Sequence, residues 1–237
     1  MAPPSPDRPD GSLGDDLLDG VADLAEAVKP RLRGWIHLGM TPVAVLAGAV
    51  LVALAPTSPA RWTTAVFALT SVMLFGTSAV YHRGTWSPRV AGVLRRLDHS
   101  NIFLIIAGTY TPLAVLLLPP STARVLLWTV WVGAVLGLTG RVLWLGAPRW
   151  LYTPIYVALG SVALGFLPQF SRSGGTDVVA LVVAGGVAYI AGAVVYGTKR
   201  PNPSPRWFGF HEVFHLLTVV GFGCHWAAVW LAAVRSE

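Results

Sequence analysis

Four side chains in this sequence have the types and spacing to hold a metal ion. His211 and His215 stand four residues apart, so on a helix both imidazoles project from one face. That spacing lets two histidines bind one ion, as in other helical zinc sites. His82 closes one apolar segment and Asp98 opens the next, across a short basic loop. Three imidazoles with a water-filled position are the open arrangement of a catalytic zinc, whereas structural sites are closed by four protein ligands. Asp98 would be either the fourth ligand or the group that holds a metal-bound water. A nitrogen and oxygen donor set without thiolate also suits iron, manganese or copper. Ser78 precedes His82 by four residues and shares its helix face. Its hydroxyl either supports a ligand or the water, or bonds its own helix carbonyl.

These residues need a scaffold, and composition says which kind. Apolar residues make up 54% of the chain and charged ones only 12%, about half the share usual in a soluble domain. Mean hydropathy is +0.61, and seven apolar segments have the length that a bilayer of about 30 Å requires. They lie near 35–55, 62–82, 98–118, 124–145, 151–168, 177–197 and 209–233, separated by PTSP, WSPR, LPPS, GAPR, SRSGG and KRPNPSPR. The expected architecture is an all-α, seven-transmembrane helix bundle over residues 31–237, multi-pass in the cell membrane. The fifth segment is the shortest and carries Pro154 and Gly160, both tolerated in membrane helices.

Residues 1–30 read differently. Seven of the eleven acids, Asp7, Asp10, Asp15, Asp16, Asp19, Asp23 and Glu26, fall there. Leu13, Leu17, Leu18, Val21, Leu24 and Val28 recur at helical spacing among them. An acidic helix is repelled by anionic lipid, so it is expected to lie against the protein's own cytoplasmic face. No basic region leads into an apolar stretch here, so the first span is expected to act as the targeting element.

Orientation follows from the basic residues. With the N-terminus cytoplasmic, 13 of the 17 Lys and Arg fall inside, and only Arg61, Arg124, Arg172 and Arg235 outside. That bias predicts an N-in, C-out chain. It also accounts for the net charge of +6 without nucleic acid, because the basic residues sit in short groups between spans. Cys224 is the single cysteine, which excludes an intrachain disulfide and a cysteine-based zinc motif. No phosphate-binding loop, GxSxG elbow, inverted repeat or haem ligand pair is present.

On that topology His82, Asp98, His211 and His215 share one membrane depth, near the cytoplasmic surface. Acids are otherwise almost absent from the body of the chain, and an acid retained there is costly enough to need a role. Glu212 is about 100° round the helix from His211 and reads as a helix N-terminal charge or a supporting partner. His37 and His99 lie at similar depth, each either interfacial or packed against a neighbour. His225 lies about 15 Å further along its helix than His215, beyond reach of the cluster. The ten tryptophans fall mostly near span ends, as interfacial belts do. Gly185, Gly186, Gly192 and Gly197 on the sixth span suit close helix packing.

The segments SAVYH (78–82), RRLDHSNIFLIIAGTYTP (95–112) and FGFHEVFHLLTVVGFGCHW (208–226) resemble the bacterial hemolysin III proteins. These belong to the wider progestin and adipoQ receptor superfamily, which includes the adiponectin receptors. The resemblance spans roughly residues 30–234. It implies a seven-helix, N-in bundle with zinc held near the cytoplasmic face by three histidines, here His82, His211 and His215. It further implies that Asp98 acts through a water and that Ser78 belongs to the same site. The pattern departs where many relatives place an Asn shortly before the histidine that matches His37, because Leu32, Arg33 and Gly34 stand there.

Three functions follow as expectations. Resemblance to adiponectin receptors and alkaline ceramidases implies a zinc-dependent hydrolase acting on a membrane lipid amide. A non-enzymatic regulator of membrane lipid and energy homeostasis, with lipid as effector and a structural zinc, is the alternative. Cytolysis, the literal sense of the family name, fits poorly with continuously apolar spans inserted during synthesis.

Overall fold

The computed structural model describes residues 30–144 and 149–236, and the expected acidic N-terminal helix lies outside them. Among the described residues the chain is all helical, with seven helices long and apolar enough to cross a membrane. The first four spans are α1 (Trp35–Leu54), α2 (Ser58–Arg83), α3 (Pro88–Leu117) and α4 (Pro120–Leu143). The fifth is composite: α5 (Arg149–Gly160), a 3₁₀ segment (Ser161–Phe166) and α6 (Leu167–Gly174). The sixth and seventh are α7 (Thr176–Thr198) and α8 (Phe210–Val234).

Loop chemistry sets the helix starts. Thr57 caps α2 by accepting from the Ala60 N–H at 3.3 Å, and Ser87 caps α3 by accepting from Val90. Proline occupies the first turn of α2, α3, α4 and α6, where its missing N–H costs nothing. The Ser87 cap starts α3 ten residues before Asp98, so Asp98 sits in the third turn rather than opening the helix. The fifth span runs on to Gly174, beyond the 168 expected, and its middle is broken. Between Gly160 and Pro168 the helix tightens, and the Tyr110 hydroxyl pins the break. It donates to the Gly160 carbonyl and accepts from the Ala163 N–H, both at 2.6 Å.

α3 is the most buried span and packs against α2, α4 and α8. Around it α1 pairs with α2, α5 with α7, and α7 with α8, and α8 returns to α1 to close the ring. This closure brings the end of α2 beside the start of α8. Several interior polar groups bond across helices: Asn101 donates to the Met73 carbonyl, Trp226 to Ala47, and Trp131 to the Thr111 hydroxyl. The outer surface is studded with exposed Leu, Val and Trp, as a lipid-facing surface requires. Of the α7 glycines, Gly185 admits the His225 ring and Gly192 the Phe214 and Leu217 side chains, while Gly186 and Gly197 face open space.

Candidate metal centre

α2 delivers His82 in its last turn, and α8 delivers His211 and His215 in its first two turns. The helical register of α8 brings its two rings together edge to face, with centroids 4.5 Å apart. His82 meets them from across the junction, with its Nε2 3.2 Å from the His211 Nε2. One ligand nitrogen from each of the three lies within 4.8 Å of the other two. Zn–N bonds of about 2.0–2.1 Å in a tetrahedron set donor nitrogens about 3.3–3.4 Å apart, so the spacing suits one ion with small ring adjustments. The His215 Nδ1 is buried without a hydrogen-bond partner, as a metal-facing nitrogen would be. The residues fit a divalent metal that accepts nitrogen donors.

α3 adds the carboxylate. Asp98 Oδ2 lies 3.7 Å from His82 Nε2 and is largely buried. Ser78, one turn before His82 and fully enclosed, is in side-chain hydrogen-bonding reach of the Asp98 carboxyl. The hydroxyl therefore lies within reach of the acid.

The remaining candidates separate cleanly. Glu212 stands outside the group of ligand atoms, and its carboxylate accepts from Arg33 Nε at 2.5 Å and from the N-cap Gly209 N–H at 2.8 Å. It both caps α8 and anchors the segment before α1. His99 bonds the Arg95 carbonyl and approaches the Tyr196 hydroxyl. His225 bonds the Val182 carbonyl, apart from the cluster. His37 is the surprise: its ring lies flat on His215, with centroids 3.7 Å apart and planes 8° from parallel. Spacing within α1 could not reveal this, because it depends on how the ring of helices closes. The membrane depth that His37 shares with the cluster was the available signal. Arg33 carried no signal beyond its charge.

A cavity of about 230 Å³ opens from the cluster into the bundle. Ser78, Asp98, His211 and His215 line one end, and Leu113, Leu164, Val183 and Val187 line the apolar remainder. Leu164 and Val187 are also 63% and 61% exposed on the outer surface, so the cavity meets the lipid-facing side between the fifth span and α7.

The family model for haemolysin-III-related proteins matches residues 25–226, which takes in all three histidines, Asp98 and Ser78. The chain belongs to this family. It is 27% identical over 147 residues to the hemolysin-3 homolog of Bacillus subtilis (strain 168), covering 61% of this chain and 68% of that one. It is 28% identical over 157 residues to hemolysin-3 of Bacillus cereus, covering 66% of this chain and 68% of that protein. With its seven apolar helices, this member of the haemolysin III-related family is a multi-pass protein of the cell membrane.

Proposed function

We propose that this protein is a zinc-dependent intramembrane hydrolase acting on a lipid amide. In this reading residues 1–30 form a cytoplasmic segment and residues 31–237 the transmembrane domain, with the N-terminus and metal site inside and the C-terminus outside. The supporting observation is the juxtaposition itself: three histidine nitrogens within 4.8 Å of one another, with a carboxylate 3.7 Å from one of them. A cavity open to lipid adjoins them.

His82, His211 and His215 would hold the ion. Zinc bound there would polarise an acyl carbonyl and bring the pKa of a coordinated water towards about 7. Asp98 is placed to take the proton of the attacking water and return it to the leaving amine. Ser78 keeps the Asp98 carboxyl oriented, and its hydroxyl is also available to a developing oxyanion. The apolar part of the cavity accepts the acyl chain, entering sideways from the membrane. Incubating the zinc-loaded protein with a panel of ceramides, acyl amides and acyl esters should release fatty acid. No turnover of any panel member would refute the proposal.

A second reading is favoured by the position of the cluster. It bridges α2 and α8, which otherwise touch little. A structural zinc there would clamp the two helices while lipid in the cavity shifts the bundle between conformations, as in a regulator of membrane lipid and energy state. Gene deletion that leaves lipid composition, fluidity and membrane potential unchanged would exclude it.

A further inference from the structure

His37 lies in the first turn of α1 and is buried, with no assigned task in the chemistry above. One ring face is covered by His215 at 3.7 Å, and the edge of Phe75 approaches at 5.0 Å. These neighbours fix the ring, and the His215 backbone beside it makes no well-aligned hydrogen bond with it. Both Nδ1 and Nε2 are buried without a partner among the described residues.

A neutral imidazole carries one N–H donor and one bare acceptor, whichever tautomer is present. Leaving both unmet costs their full desolvation, and an apolar side chain of similar shape would fill the same space without that penalty. Packing alone therefore does not explain a histidine. Metal binding does not either, because His37 stands outside the group of ligand atoms formed by His82, His211 and His215. What remains is the cavity. His37 lines it together with Ser78, Asp98, His211 and His215, and the far side of that space is apolar.

We propose that His37 is a ligand-contacting residue: its ring N–H donates to the acyl carbonyl or carboxyl oxygen of a lipid whose chain fills the apolar part of the cavity. This rests on the lipid reading above and names the group that positions the head of the ligand beside the cluster. The stack on His215 makes the contact selective. It holds the imidazole in one plane, so the donor direction is set before the ligand arrives.

Equilibrium binding of radiolabelled oleate to the full chain, purified with its metal, tests the assignment in wild type, His37→Phe and His37→Gln. Zinc content and thermal midpoint are measured on the same samples. His37→Phe should keep its zinc and melt no lower than wild type, yet bind oleate about tenfold more weakly, the loss of one good hydrogen bond. His37→Gln, which restores an N–H donor, should recover most of that affinity. Equal oleate affinity in wild type and His37→Phe would overturn the assignment, and so would loss of zinc in His37→Phe. Wild-type protein that binds no oleate would overturn the lipid reading itself and this inference with it.

Discussion

Helix α8 ends at both of its termini in an arginine–carboxylate pair, and the two pairs are not alike. At its start Glu212 meets Arg33 with the carboxylate wholly buried and the arginine side chain 11% exposed. At its end Arg235 grips Asp177 through two nitrogens, at 2.9 and 2.6 Å, yet the side chains are 42% and 48% exposed. The outer pair has the better fork geometry and sits in water. The inner pair lies buried close to the histidines, where each partner depends on the other because water cannot replace it. Helix α8 is thus held by a buried ion pair at the end that carries the cluster and by an exposed one at the other. Chemistry that needs fixed donor positions belongs at the first end.

Four substitutions break or sharpen that contrast. Asp98→Asn should lower turnover of a lipid amide by about 10²–10⁴, the usual contribution of a positioned acid–base group, while zinc is largely retained. Glu212→Ala should destabilise the protein by about 3–5 kcal/mol, because it strands the buried Arg33 and uncaps α8. Thermal unfolding in detergent reads this directly. Tyr110→Phe, at the break in the fifth span, should cost about 1–3 kcal/mol by leaving the Ala163 N–H and Gly160 carbonyl unpaired. Arg235→Ala should leave the midpoint unchanged within error, since its pair with Asp177 is solvated. A destabilisation by Arg235→Ala as large as that of Glu212→Ala would erase the distinction between the ends.

How much of this was legible beforehand depends on whether the signal was local. The i, i+4 spacing of His211 and His215 and the shared depth of His82 and Asp98 are local properties, and they pointed to one site. The seven apolar segments, set off by proline-rich loops, were equally readable. What escaped depends on how separate helices meet. The stack of His37 on His215 and the bond from Arg33 to Glu212 both require α8 to close the ring against α1. The broken fifth span needed a tyrosine on α3, fifty residues from the carbonyl it holds. Ser87 and Pro88 signal the early start of α3, but Arg89, Arg95 and Arg96 hold that first stretch below the hydropathy of a membrane span.

Metal content tests the central claim most directly. Mass spectrometry on the detergent-purified chain should find close to one zinc per wild-type molecule. Zinc should be absent in His82→Ala, His211→Ala and His215→Ala, and partly retained in Asp98→Ala. Wild-type protein that carries no metal, or zinc indifferent to those three histidines, would contradict the account.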